Sequence, residues 1–144
     1  MSYYKYQVLV IANRTADSEA LRDAMQARCG LGPAAFTLVI PRSGHDLASA
    51  QSFLTSSLNR LREAGLEVDG GLGDADPMVA LRDTWDPGRF DEVIVSTLPT
   101  NTSRWLQIDL PHRVARITGA RVTHVVAPLE PQAAARAASG VMSG

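Results

Sequence analysis

One short stretch of the sequence concentrates hydroxyl and amide side chains and ends in an arginine. The residues with this chemistry are Ser96, Thr97, Thr100, Asn101, Thr102, Ser103 and Arg104. Hydroxyl groups donate hydrogen bonds to phosphate oxygens, and a guanidinium binds the same oxygens with two parallel donors. The stretch can therefore hold an anion, although Ser, Thr and Asn in a loop also satisfy their own backbone and cap the next helix. The residue types leave both interpretations open.

A second polar group follows the first apolar run of the chain and consists of Asn13, Arg14 and Thr15. The amide of Asn13 offers donors and an acceptor, so it can bind a nucleotide base or a ribose. The alternative is a turn in which this amide bonds to its own backbone. Arg42, which follows the second apolar run, is a further candidate beside an adenine, and a solvated loop explains it equally well.

No residue pattern in the chain points to a catalytic centre or to a resident metal. The three histidines lack the one-turn spacing of a helical metal site, and a single cysteine, Cys29, excludes a cysteine zinc site within one chain. No Gly-x-Ser-x-Gly elbow occurs. Asp46 and Asp76 fit helix N-caps better than acid–base chemistry. We therefore assign no catalytic residue and no metal ligand.

Alternating strands and helices must position these side chains. Apolar or alternating runs predict strands at residues 8–12, 36–40, 66–70, 92–96 and 122–127. Between them, apolar residues at helical spacing follow possible N-caps at Asp17 or Ser18, Asp46, Asp76 and Asp109. The last helix is expected to bury Leu110, Val114 and Ile117. This alternation is typical of an α/β fold with a parallel sheet, in which ligands bind beyond the carboxyl ends of the strands at the topological switch point. The loops after the first and fourth strands are the expected binding site.

The composition is that of an ordinary globular domain. The chain has 144 residues, of which 45% are apolar, and its net charge is −1, so we expect neither nucleic acid nor a membrane as a partner. The N-terminus lacks the apolar segment of a signal peptide, which favours a cytoplasmic location. We expect one domain over residues 1–128 and a flexible tail, rich in Ala, Gly and Ser, over residues 129–144.

Several segments, taken in order, resemble the universal stress protein family. These segments are residues 8–13, 73–77, 90–96, 112–116 and 122–126. The resemblance implies a three-layer α/β/α domain with a parallel five-stranded sheet in the order 3-2-1-4-5, the adenine nucleotide alpha hydrolase-like fold. It also implies a crevice between strands one and four, a homodimer that is often formed through the fifth strand, and a role in the stress response.

The chain departs from the ATP-binding branch of that family. That branch holds ATP through a Gly-x2-Gly-x9-Gly motif followed by Ser or Thr, and the glycines let backbone amides approach the phosphates. No glycine occurs from Ser96 to Asp109, and Asn13 stands where the family usually has an aspartate. We therefore expect ATP binding to be weakened or lost, and an adenine nucleotide to be held by side chains if it binds.

These observations lead to three functional hypotheses. The first is a small regulatory protein that binds a nucleotide-type ligand, with Asn13 at the base or ribose end and the stretch from Ser96 to Arg104 at the phosphate end. The second is a hydrolase or transferase acting on a nucleotide or a phosphorylated metabolite. The third is a ligand-free structural dimer whose crevice is plugged by Leu98 and Trp105. We favour the first, because the sequence names no convincing base for the second.

Overall fold

A computed structural model describes residues 5–42, 46–99 and 103–128, in which strands and helices alternate along the chain. The elements are β1 (Tyr6–Ile11), α1 (Glu19–Cys29), β2 (Ala34–Pro41), α2 (Leu47–Glu63), β3 (Val68–Gly73), α3 (Pro77–Thr84), β4 (Glu92–Thr97), α4 (Arg104–Gln107), α5 (Leu110–Thr118) and β5 (Arg121–Val126). All neighbouring strands are parallel, and their order is β3-β2-β1-β4-β5. The predicted α/β fold and strand order are confirmed.

The sheet is covered by helices on both faces, because its central strands are apolar on both faces. In β1, Val8 and Val10 join one core cluster with side chains of α1 and α2, whereas Leu9 and Ile11 join a second with side chains of α3 and α5. All four of these β1 side chains are fully buried. A continuous apolar run therefore reads correctly as a strand buried on both faces. Among the described residues, no helix combines the length and the apolar character that crossing a bilayer requires.

Three of the predicted helix starts are confirmed by their hydrogen bonds. The side chain of Ser18 accepts a bond from a backbone N–H of α1, that of Asp46 from one of α2, and that of Asp76 from one of α3. Each of these caps has an extended backbone, which lets the short side chain turn back onto the first helical turn. These caps fix where each helix leaves the carboxyl edge of the sheet.

The last long helix departs from expectation at both ends. Asp109 precedes α5 but does not cap it: its backbone is left-handed, with φ 55°, and its carboxylate contacts His112 instead. Leu110 and Val114 are fully buried as predicted, whereas Ile117 is 43% exposed. The prediction for Ile117 is wrong because α5 packs over β5, which is the last strand of the sheet among the described elements, so the final turn of α5 lies at the edge of the fold.

The third strand begins two residues later than predicted and runs through three glycines. Gly70 pairs with Leu38 of β2 so closely that a Cβ on Gly70 would lie 2.1 Å from the Leu38 carbonyl oxygen. Glycine at this position allows the close strand pairing, and the strand extends past the predicted end at Gly70. The predicted loop after β4 also contains an unpredicted short helix, α4, which Ser103 caps.

Candidate ligand-binding crevice

A cavity of about 330 Å³ lies where the carboxyl ends of β1 and β4 meet. These strands are neighbours, but the chain leaves them toward opposite edges of the sheet, so the loops that follow them diverge and leave space between them. The residues that line the cavity are Asn13, Arg14, Thr15, Ser96, Thr97, Leu98, Ser103, Arg104 and Trp105. The structure therefore brings together seven of the predicted site residues, which belong to two sequence segments more than 80 positions apart.

Of the other four predicted site residues, the structure describes only Arg42. Arg42 is exposed at the end of β2 and is not part of this lining; its backbone N–H donates to the carbonyl of Gly73 on β3, which ties it to the opposite half of the sheet. Thr100, Asn101 and Thr102 lie outside the described residues. Leu98 and Trp105, which the third hypothesis places in the crevice, line the cavity, and Trp105 also packs against the second core cluster.

A hydrogen bond at the floor of the cavity joins the loop after β1 to the end of β4. Oγ1 of Thr15 lies 2.7 Å from Oγ of Ser96, and both residues are buried. Each hydroxyl carries one proton, and only one of the two protons is used between them. Side chains thus tie the two sides of the cavity together at this point.

Thr97 connects the crevice to the edge of the sheet. Its Oγ1 lies 2.7 Å from Nε2 of His124 on β5, and its carbonyl accepts a bond from Ala127 N–H. Partial burial lowers the pKa of His124 below its ordinary value. Sequence reasoning missed this contact, because only the β4–β5 register brings the two residues onto one face of neighbouring strands.

The rim of the cavity is positively charged. Arg14 and Arg104 are exposed, and neither forms an ion pair within the described part of the chain. Among the described residues, no acidic side chain lines the cavity. Ser103, which also lines it, caps α4 by accepting a hydrogen bond from Leu106 N–H. The charge and donors of this surface favour an anion.

The described lining of the cavity does not suit metal binding or acid–base catalysis. Within residues 5–42, 46–99 and 103–128, no group of three or more His, Cys, Asp or Glu side chains could hold a metal ion. As far as the structure describes the lining, it holds no carboxylate or imidazole that could act as a base on a bound ligand. The arrangement is suited to binding a ligand, because it offers hydroxyl donors, two guanidinium groups and one indole.

Comparison with known proteins adds no assignment. No protein-family model matches the chain, and a search of curated proteins finds no significant match. The resemblance to universal stress proteins therefore stays a prediction from the sequence pattern.

Proposed function

We propose that this chain is a universal-stress-like regulatory domain that binds an anionic, nucleotide-type small molecule between β1 and β4. The observation that carries the proposal is the cavity of about 330 Å³, whose described lining has four hydroxyl residues, no acidic residue and two rim arginines without an ion pair to any described residue. Its volume falls in the range of small-molecule sites. Because Leu98 and Trp105 line this space and leave it open, the cavity favours a ligand-binding function over a plugged, ligand-free dimer.

ATP is expected to bind weakly, and in a different way from the family's standard mode. A glycine-rich loop would hold the phosphates with backbone amides, but here the Thr15–Ser96 hydrogen bond occupies the floor of the crevice. The phosphate end of a ligand would instead meet Arg14 and Arg104 at the rim. Asn13 would contact the base or ribose from the β1 side.

The same proposal includes a cytoplasmic homodimer. Among the described strands β5 is the last of the sheet, and Val126 on it is 48% exposed, which supports pairing of this edge with a second copy. A dimer predicts a scattering mass near twice 15.4 kDa. A mass that stays at the monomer value at micromolar concentration would remove the dimer from the proposal.

Calorimetric titration with ATP, ADP and AMP, with and without magnesium, tests the ligand. We expect binding that Arg104→Ala weakens by about 10- to 100-fold, because a charge-assisted hydrogen bond contributes about 1.5–3 kcal/mol. Arg82→Ala is the matched control, since Arg82 is also exposed but lies on α3 away from the lining. Absence of binding for all three nucleotides refutes the proposal, and turnover that Arg104→Ala abolishes would favour the hydrolase or transferase alternative.

A further inference from the structure

His124 is not part of the cavity lining, yet its imidazole bonds to a residue that is. Thr97 lines the cavity, is 2% exposed, and has Oγ1 2.7 Å from Nε2 of His124. We propose that His124 is a positioning residue for the ligand site, because it decides whether the hydroxyl proton of Thr97 points to the imidazole or to the ligand. This inference rests on the proposed function, since it requires an anion in the crevice.

The hydrogen-bond chemistry of a hydroxyl group gives this contact two directions. A threonine hydroxyl has one proton and two lone pairs. If Nε2 carries no proton, Thr97 donates its proton to the ring and presents only lone pairs to the crevice, which repel an anion. If Nε2 carries a proton, the ring donates to Thr97 and the hydroxyl proton is free to bond the anion. Protonation of the imidazole enforces the second direction and adds a positive charge behind it.

The described neighbours of His124 do not fix the direction of its hydrogen bond with Thr97, so the protons on the imidazole itself decide that direction. β5 packs against β4, α5 and α1. The titratable side chains on these four elements, besides His124, are Arg121 on β5, Glu92 on β4, His112, Arg113 and Arg116 on α5, and Glu19, Arg22, Asp23, Arg28 and Cys29 on α1. Among the described residues, none of them forms a hydrogen bond or ion pair with His124; Glu92 bonds to Thr123 and His112 to Asp109.

Anion binding and protonation of His124 are therefore expected to be linked. Partial burial lowers the pKa of His124, which favours the neutral ring in the free protein, and a bound anion is expected to raise that pKa. Protonation frees the Thr97 hydroxyl to donate one hydrogen bond to the anion, and a bond to a charged group corresponds to an affinity about tenfold higher for the protonated protein.

The test compares the wild-type chain with His124→Gln and the control His112→Gln. Dissociation constants for AMP, ADP and ATP are measured by calorimetry between about pH 5 and about pH 8. Glutamine can still donate a hydrogen bond to Thr97 but does not titrate. The phosphates titrate as well, but equally in all three proteins, so their effect cancels in the ratio of dissociation constants. We expect affinity to rise about tenfold toward acid in wild type and His112→Gln relative to His124→Gln.

Identical pH profiles for wild type and His124→Gln would overturn the inference while the proposed function stands. Absence of binding at every pH would overturn the proposed function, and this inference with it. Should His124→Gln fail to fold, imidazole NMR of the wild-type chain decides the matter. Saturation with the bound nucleotide is expected to raise the pKa of His124 by about one unit, the equivalent of a tenfold linkage, and an unchanged pKa refutes the inference.

Discussion

The hydrogen bond between Thr15 and Ser96 makes a quantitative prediction about stability. Both residues are buried, at 4% and 1% exposure, and their oxygens lie 2.7 Å apart. Either Thr15→Val or Ser96→Ala leaves the opposite hydroxyl buried without its partner, which costs about 1–3 kcal/mol. The double variant removes both polar groups and loses only the net value of one hydrogen bond, about 1 kcal/mol. We therefore expect each single variant to lose about 2 kcal/mol of unfolding free energy, and the double variant to lose clearly less than about 4 kcal/mol.

Urea unfolding of the four proteins measures this coupling. A difference of about 3 kcal/mol between the double variant and the sum of the single variants supports the contact, because groups that do not interact add to within about 0.5 kcal/mol. Thr84 on α3 supplies the control: its hydroxyl bonds to the Ala80 carbonyl within the helix, so Thr84→Val should add independently to Thr15→Val. Additive effects for Thr15→Val and Ser96→Ala would refute the idea that this bond joins the two sides of the crevice.

Two further predictions concern the sheet. Gly70→Ala should destabilise the fold by about 1–3 kcal/mol in denaturant unfolding, because its Cβ would lie 2.1 Å from the Leu38 carbonyl oxygen. Gly71→Ala is the control: its Cβ would meet nothing within 4 Å, so this variant should be neutral or more stable by up to about 1 kcal/mol. Equal losses of stability at both positions would contradict the packing at Gly70. Partial burial lowers the pKa of His124 in the folded state, so the neutral ring favours the folded protein. This stabilisation is fully present above the pKa of the unfolded chain, about 6.5, and is lost as pH falls through the lower pKa of the folded protein. His124→Gln should flatten that decline in urea unfolding followed against pH, and an unchanged slope would show that the ring does not lose solvation on folding.

Residue types at regular spacing determined most of the architecture. The apolar run of β1 reads as a strand buried on both faces because consecutive side chains of a strand point to opposite faces and all of them here are apolar. Ser18, Asp46 and Asp76 mark helix starts because a short polar side chain can bond only to the backbone a few residues ahead. Periodicity does not fix the strand order; the family resemblance implied it, and the structure confirms it together with the switch point between β1 and β4.

Contacts between distant segments were decided only by the tertiary structure. Thr15 and Ser96 are 81 positions apart and meet because β1 and β4 pair in one register, and Thr97 reaches His124 through the register of β4 with β5. A local pattern carries no information about register, so it could not show that these hydroxyl groups bond to one another or to an imidazole. The exposure of Ile117 and the close approach at Gly70 have the same origin: both depend on which element lies alongside, and not on the residue itself.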